Sequence, residues 1–439
     1  MSKLDNPVGS YASIDSAPTD KGPGDEFTLT VSTISDGAVT WTSSDTDIAE
    51  VEGTGTTATV IAKRSGKVTI TADVAATENY QAGSASCEVT LRVHNFDHFK
   101  SDIANAAGSK EIVVLLAENA NIDLISEDAS NSPFKFTVDT QILGVEGKPA
   151  TFNVNTKKPP FDIQAGFVVK NASFNINSSG NINFLQVRTP TTAKLPKDNG
   201  TASSYVAFNP IIIENVDVNN QNSCLLKGQG NVRFDNIEVR NCRINMREKC
   251  NSGIFNFDSG YPEMMLVENS TFWSKGKGHS GFLFTASGKP TDITSASTAT
   301  FTVDHCTMYK IGVGKKVNNG NYLKGKAFLT VNLTNSILVD FGTSTGNEIN
   351  GWLFGQNASD EKTGGVVTQQ KPNRTYGYNS YFTSDGNSVS GWTDSSKGGD
   401  DTNTSLTTYP AFADAENGDF TVSGSDQKSK QTGDPRWLK

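Results

Sequence analysis

Hydrophobic positions follow an eight-residue pattern that occurs six times along the chain. Positions 1, 3 and 8 are apolar, position 5 is Asn in five copies, and position 6 is small. His305 takes position 5 in the remaining copy. A degraded seventh copy spans Tyr376–Phe382 around Asn379. The six copies are Phe167–Phe174, Ile211–Val218, Ile237–Ile244, Met265–Phe272, Phe301–Met308 and Val331–Leu338.

The apolar phase of this pattern changes at position 5. Positions 1 and 3 share one face of a strand, because side chains alternate along a strand with period two. Position 8 falls in the opposite phase, so the chain must bend between the two halves. Asn tolerates the left-handed backbone conformation of such a bend better than other non-glycine residues. Each copy therefore predicts a strand, a tight bend and a second strand.

The repeat length indicates a solenoid. Five intervals separate Asn171 from Asn335, which gives about 33 residues per repeat. Between the copies lie segments rich in Gly and apolar residues, which predict a third strand. They are Gly253–Phe257, Gly281–Phe284 and Gly351–Phe354, with weaker relatives at Asn183–Val187 and Cys224–Lys227. We expect a right-handed parallel β-helix with three strands per coil.

The interior of this solenoid should contain stacked aromatic rings. The spacing of the Gly-apolar segments predicts that Phe255 and Phe257 stack on Phe282 and Phe284. Trp352 and Phe354 would continue the same column.

Residues 11–93 have a different pattern. Short alternating segments separated by turn residues predict a β-sandwich. The stretch Trp41–Asp45, followed by Ile48, Val51 and Gly66, resembles group 2 bacterial Ig-like domains. This resemblance implies a spacer or adhesive module, and Trp41 is interpreted as a core residue.

The remaining segments complete an all-β chain. We predict a flexible tail at 1–10, a linker and capping helix at 94–110, and the β-helix at 111–439. Helical spacing of Phe96, Phe99, Ile103 and Ala107 supports the helix. Ser384–Thr404 is expected to be a surface loop, and Trp437 an apolar plug that closes the last coil.

Composition agrees with a β-rich extracellular protein. The chain has 40 Gly, a net charge of −9 and no run of 18 apolar residues. Five cysteines do not suggest a disulfide scaffold. Cys242 and Cys306 are interpreted as small core residues, whereas a disulfide between Cys224 and Cys250 stays open.

Positive charge is concentrated in one part of the chain. Lys227–Lys326 contains 14 Lys and Arg against 8 Asp and Glu, a net charge of +6. Many of these cations follow the second strand of the pattern in three successive coils, where they should stack in a row. They are Arg247, Lys249, Lys275, Lys277, Lys310, Lys315 and Lys316, with His279 beside them.

A row of cations along a solenoid favours a linear polyanion as ligand. Trp273 and Tyr309 flank the row and could stack on sugar rings. The predicted ligand-binding residues are Trp273, Lys275, Lys277, His279, Tyr309 and Lys310. The alternative is an ordinary solvated face with loop lysines, which is equally compatible with the sequence.

Catalytic residues are harder to find. A lyase would need carboxylates on the third sheet, which the third strands of successive coils would form, to hold calcium, and a Lys or Arg base. Asp258 is the one acidic residue that the pattern assigns to that sheet, with Lys249 and Arg247 as candidate bases. A hydrolase would need paired carboxylates. The missing carboxylate cluster favours a protein that is not an enzyme and has neither a metal site nor a cofactor. Ca²⁺ would be required only for a lyase.

From residue 94 onward, the Asn-bend repeat, the domain order and the ending Gly433–Trp437 resemble secreted pectin-lyase-like β-helix proteins of Bacteroidetes, of uncharacterised family. This resemblance implies a surface protein of a polysaccharide-utilisation system that binds an acidic polysaccharide such as pectin. It also implies an extracellular or outer-membrane location, a lipid anchor in the full-length form and outer-membrane glycan importer components as partners. We expect a monomer and no nucleic-acid partner. A polyuronate lyase and a structural or adhesive protein are the alternatives.

Overall fold

The computed structural model describes residues 7–188, 205–207, 210–229, 232–258, 260–286, 298–314, 317–319, 329–342, 349, 352–354, 361–363, 366–368 and 373–439. The chain divides into two compact units. The first contains Met1–Asp123 and Thr140–Thr151, and the second contains Leu124–Asp139 and Phe152–Lys439. As predicted, the secondary structure is nearly all β. None of the helices in this described part has the length and apolarity needed to cross a membrane.

The first unit begins with the predicted β-sandwich. Its strands are β1 (Ala12–Ile14), β2 (Glu26–Thr33), β3 (Val39–Ser43), β4 (Ala49–Glu52), β5 (Thr57–Ala62), β6 (Gly66–Val74) and β7 (Gly83–Leu91). One antiparallel sheet has the order β1-β2-β5-β4 and the other has the order β3-β6-β7, and alternating apolar residues between them form the core. Trp41 is buried in this core, as predicted. In the described part of the predicted tail, Val8 pairs with Tyr80.

The predicted helix forms after the sandwich. Helix α1 spans Phe96–Asn105, and the Asn95 side chain caps it by accepting a hydrogen bond from the His98 N–H group (2.9 Å). Its buried Asp102 carboxylate accepts hydrogen bonds from the N–H group (3.0 Å) and hydroxyl (2.6 Å) of Ser65. These bonds attach the helix to the loop before β6 within the first unit.

The remaining strands are short. In residues 111–187 they are β8 (Glu111–Leu115), β9 (Asn121–Ser126), β10 (Phe134–Phe136), β11 (Asp139–Leu143), β12 (Ala150–Thr156), β13 (Phe161–Ile163), β14 (Phe167–Ile176) and β15 (Leu185–Val187). In residues 205–309 they are β16 (Tyr205–Ala207), β17 (Ile211–Gln221), β18 (Leu226–Gly228), β19 (Val232–Arg240), β20 (Arg243–Met246), β21 (Phe255–Asn256), β22 (Tyr261–Glu268), β23 (Thr271–Ser274), β24 (Phe284–Thr285), β25 (Ala299–Asp304) and β26 (Thr307–Tyr309). The last are β27 (Asn318–Asn319), β28 (Leu329–Thr334), β29 (Ile337–Val339), β30 (Glu361–Thr363), β31 (Val366–Thr368), β32 (Asn373–Gly377), β33 (Ser380–Phe382), β34 (Phe412–Asp414) and β35 (Asp419–Val422), with helix α2 (Ser425–Lys430) between β35 and the C-terminus.

The second unit contains the predicted parallel β-helix. Position 1 of each pattern copy pairs with position 1 of the next: Phe167 with Ile211, Ile211 with Ile237, and so on to Val331. The third strands form a separate parallel sheet in the order β10-β13-β15-β18-β21-β24-β27. The described coils from β19 to β27 therefore have three strands each, whereas in the preceding coil β17 runs through the bend as one strand and β18 follows it.

The bends at position 5 adopt the predicted left-handed conformation. The φ angle is 47–54° at Asn171, Asn215, Asn241, Asn269, His305 and Asn335. The Asn215 amide also donates to Asn171 Oδ1 (3.1 Å). In the seventh copy the bend is not at Asn379, as predicted, but at Tyr378, which has a φ of 52°. Asn379 occupies the following position, position 6, and is buried.

Position 6 carries a second set of contacts. The Ser270 hydroxyl accepts a hydrogen bond from the Cys242 N–H group (3.0 Å), and Asn379 Oδ1 accepts one from Ser336 N–H (3.0 Å). Cys242 and Cys306 are buried, as predicted. All five cysteines lie within the described residues and are free thiols, so Cys224 and Cys250 do not form a disulfide.

The aromatic column differs from its predicted register. Phe255 pairs with Phe284, at a ring-centroid distance of 5.6 Å, and not with Phe282. Phe255 lies nine positions after Met246, but Phe284 lies ten positions after the corresponding Ser274, so the Gly-apolar segments are displaced. Trp352–Phe354 form no strand, although Trp352 still packs on Phe284 (6.4 Å).

Trp392 covers the interior of the last coil. Its ring stacks on those of Tyr381 in β33 and Phe341, at ring-centroid distances of 5.4 Å and 5.5 Å. The segment predicted as a surface loop therefore supplies the plug that was assigned to Trp437. The C-terminal segment, defined here as residues 409–438, runs back across the outer face of the second strands, where Gly433 donates to the Asn335 carbonyl (2.7 Å).

Candidate functional site

The turns after the second strands stack as predicted. The Lys249 N–H group donates to the Gly278 carbonyl (2.8 Å), and the His279 N–H group donates to the Lys310 carbonyl (2.9 Å). These bonds place corresponding turns of three successive coils in contact. Because neighbouring parallel strands are about 4.8 Å apart, side chains on adjacent turns lie close together.

Part of the predicted cation row faces solvent. Lys249, Lys275 and Lys277 are exposed, and Arg247 is half-buried. We call these four residues the basic turn surface. Arg247 is oriented by a hydrogen bond from its Nε to Asn220 Oδ1 (3.2 Å). Lys315 and Lys316, predicted for the same row, lie outside the described residues.

Trp273 and Tyr309 are buried, which corrects their predicted role as stacking platforms for sugars. The C-terminal segment covers both rings. Phe420 packs edge-on against Trp273 and Tyr309, with ring centroids 5.8 Å away in each case. Their outward strand positions therefore face a second hydrophobic cluster of the protein itself.

Lys310 is engaged with the C-terminal segment. Its ammonium group pairs with Glu416 Oε1, and it also donates to the Gly276 carbonyl (3.0 Å). The Tyr309 hydroxyl donates to the same Glu416 oxygen (2.9 Å). The predicted ligand cation Lys310 thus already has a carboxylate partner, which sequence reasoning missed.

His279 is fully buried, so it does not belong to the exposed cation row. Its Nε2 hydrogen-bonds the Ser252 carbonyl (2.8 Å). Burial lowers the pKa of His279 to about 4, although the bond to Ser252 opposes this shift. At neutral pH the imidazole is therefore uncharged and positions the turn.

The third sheet presents a mixed polar row on its outer face. Registered neighbours along the row are Lys135, Asp162, Gln186, Lys227, Asn256, Thr285 and Asn319. Asp162 is a third-sheet carboxylate that sequence reasoning missed, because β13 lacks the Gly-apolar signature. It is buried and binds Arg188 Nε through Oδ2 (2.5 Å).

Asp258 is exposed just after β21, and its N–H group donates to Asn256 Oδ1 (3.0 Å). Three strand spacings, about 14 Å, separate its coil from that of Asp162. Lys249 and Arg247 precede β21 in the chain, whereas Asp258 follows it. Within the described residues, no three His, Cys, Asp or Glu side chains converge as a metal site would require.

Comparison with known families agrees with the two-part architecture. Residues 26–89 match the bacterial Ig-like domain (group 2) family, which confirms the resemblance of the N-terminal sandwich. Residues 301–437 match a domain of unknown function, DUF5123. This second match includes the last coils and the C-terminal segment that covers Tyr309. No curated protein matches the chain.

Proposed function

We propose that this protein binds an acidic polysaccharide along the basic turn surface. The observation that carries the proposal is the exposure of Lys249, Lys275 and Lys277 on directly hydrogen-bonded turns of adjacent coils. Cations clustered on adjacent turns attract a polymer that carries repeated carboxylates. The ligand class is a polyuronate such as pectin.

The rest of the architecture supports a surface location for this activity. The match to bacterial Ig-like domains favours a spacer that holds the β-helix away from a cell. The Asn-bend coils favour a pectin-lyase-like protein, and with the Ig-like domain they suggest a glycan-utilisation system of Bacteroidetes. We therefore propose an extracellular or outer-membrane lipoprotein that passes glycan to outer-membrane importer components.

Binding of polygalacturonate to the full chain tests this function. Affinity electrophoresis should retard the protein in a gel with polygalacturonate and not in a gel with a neutral galactan. Ultraviolet absorbance of the same mixtures, with and without calcium, would detect the unsaturated product of a lyase. Calcium-dependent absorbance would replace the binding proposal with the lyase alternative, and no retardation in any acidic polysaccharide would favour a structural or adhesive role.

A charge-matched pair of variants localises the binding. Lys275→Ala/Lys277→Ala should weaken retardation and make it less sensitive to salt, because fewer ion pairs form with the polymer. Lys100→Ala/Lys110→Ala removes the same charge from exposed positions of the first unit and should leave retardation unchanged. Equal effects of the two pairs would remove the basic turn surface from the proposal.

A further inference from the structure

The turn Lys275–Gly278 holds carboxylates from two other parts of the chain. The Gly276 N–H group donates to Glu416 Oε2 (2.9 Å), and the next N–H group, of Lys277, donates to Glu248 Oε1 (3.1 Å). Gly276 has a φ of 52°, and a Cβ there would lie 2.8 Å from the Glu248 carboxyl carbon. Glycine therefore lets the Glu248 carboxylate approach this turn, in which two successive backbone N–H groups each bind an anion. Such an arrangement is typical of anion-binding turns.

Three donors bind the Glu416 carboxylate. Besides Gly276 N–H, they are the Tyr309 hydroxyl (2.9 Å to Oε1) and the Lys310 ammonium group. The Lys310 side chain is only 16% exposed, so its charge is poorly hydrated and needs a partner. A planar anion with two acceptor oxygens satisfies these donors together.

Electrostatics agree with this geometry. Burial alone would raise the pKa of the Glu416 carboxyl, but the hydrogen bonds from Lys310, Gly276 and Tyr309 outweigh it and hold the pKa below its ordinary value. The position therefore stabilises a charged carboxylate.

Glu416 reaches this position from a short surface turn. It lies in Ala415–Asn417, between β34 and β35, and its side chain is 44% exposed. Rotation of that side chain would vacate the donors while Phe420 stays buried in its cluster. The donors adjoin Lys275 and Lys277 of the basic turn surface.

We propose that Gly276, Tyr309 and Lys310 form a carboxylate-binding site, and that Glu416 is an internal competitor for the carboxylates of a bound polyuronate. The identity of the polymer rests on the proposed function, whereas the ligand class follows from the contacts. An internal competitor raises the apparent dissociation constant, because only molecules with a vacant site bind.

Two substitutions of Glu416 test the competition. Glu416→Ala should tighten binding of polygalacturonate by about 3- to 10-fold, since it vacates the site in every molecule. Glu416→Gln keeps the shape but loses the charge facing Lys310, and an intermediate effect is expected. Asp419→Ala is the matched control, since it removes an exposed carboxylate from the same hairpin. This carboxylate accepts a hydrogen bond from the Thr421 N–H group (3.0 Å).

The measurements are calorimetric titration of the full chain with polygalacturonate and amide NMR of Gly276 during addition of galacturonate, with galactose as the neutral control. In Glu416→Ala the Gly276 amide should respond to galacturonate at a lower concentration than in the native chain. Circular dichroism checks folding, and Glu416→Gln supplies a second variant if the alanine variant misfolds.

The outcomes separate the two proposals. Tighter binding by Glu416→Ala than by Asp419→Ala, with the galacturonate response, supports the carboxylate site. The carboxylate site is overturned if Glu416→Ala binds polygalacturonate no more tightly than Asp419→Ala does. It is also overturned if the Gly276 amide signal of Glu416→Ala does not change on addition of galacturonate. A Gly276 response to galacturonate without polygalacturonate binding by any variant would overturn the proposed function and still support the carboxylate site.

Discussion

The indole N–H group of Trp437 donates a hydrogen bond to the Thr271 hydroxyl at 2.7 Å. The same hydroxyl donates to Asp434 Oδ2, also at 2.7 Å. Thr271 begins strand β23, so one outward-facing hydroxyl joins the middle of the β-helix to the end of the chain. This anchor holds the C-terminal segment over the strand that carries Trp273.

Loss of the Thr271 hydroxyl should loosen the C-terminal segment. Thr271→Val keeps the side-chain shape but leaves the buried Asp434 carboxylate without that donor, at a cost of about 1–3 kcal/mol. Hydrogen exchange of the Trp437 indole N–H should become faster, and cleavage by trypsin at Arg436 should increase. Thr300→Val, at a half-exposed position of β25, is the matched control. Equal exchange rates in the two variants would show that Thr271 is not the anchor.

The buried His279 predicts that stability falls in mild acid. Its pKa is about 4 in the folded chain, compared with 6.5 without the protein environment. Below pH 6.5 the unfolded chain therefore binds a proton that the folded chain does not, and the free energy of unfolding falls as the pH approaches 4. Between pH 7 and pH 5 this single group should account for about 2 kcal/mol.

The variant His279→Gln separates this group from the others. Gln can still donate to the Ser252 carbonyl, but it does not titrate. Urea titrations at pH 7 and pH 5 should show a smaller loss of unfolding free energy in the variant than in the native chain. The same loss in both proteins would mean that other groups cause the acid sensitivity.

Replacing Asn215 with a residue that disfavours the left-handed conformation should lower the free energy of unfolding. Asn215→Ala places a Cβ-bearing residue without a local polar side chain at φ of 53° and removes the bond to Asn171. We expect a loss of about 1–2 kcal/mol in urea titrations. Asn215→Gly should cost less, because glycine adopts positive φ readily.

A neighbouring asparagine provides the control for the bend. Asn219 makes the same kind of bond, to Asn175 Oδ1 (3.0 Å), from a position outside the left-handed set. Asn219→Ala should therefore cost less than Asn215→Ala. A larger cost at Asn219 would mean that the side-chain bond, and not the backbone conformation, makes Asn preferred at position 5.

The plug at the last coil predicts a large effect of Trp392. Its ring is buried between Tyr381 and Phe341, so Trp392→Ala should lower the unfolding free energy by about 3–5 kcal/mol. Trp392→Phe retains part of the stack and should cost less. Trp437→Ala removes a half-buried indole and should have a smaller effect than Trp392→Ala in the same thermal and urea unfolding measurements. A larger loss of unfolding free energy in Trp437→Ala than in Trp392→Ala would show that Trp437 contributes more to closing the last coil.

Several features of the site could be predicted because they depend on neighbouring residues along the chain. The stacking of Arg247, Lys249, Lys275 and Lys277 follows from the repeat length alone, and the structure places their turns in contact. The register of the third strands was less predictable, because one additional residue between Ser274 and Phe284 shifts the pairing without changing the apolar pattern.

Local sequence patterns specify the left-handed bends, the alignment of the six pattern copies and the helix at Phe96–Asn105. These features arise from local backbone preference and strand periodicity, which a single repeat already encodes. The covering of the outward side chains depends instead on contacts between distant parts of the chain. Trp273, Tyr309 and Lys310 meet Phe420 and Glu416 more than 100 residues later. An apolar or charged outward residue looks the same in sequence whether solvent or a distant segment packs against it, so periodicity cannot distinguish a free surface from a covered one.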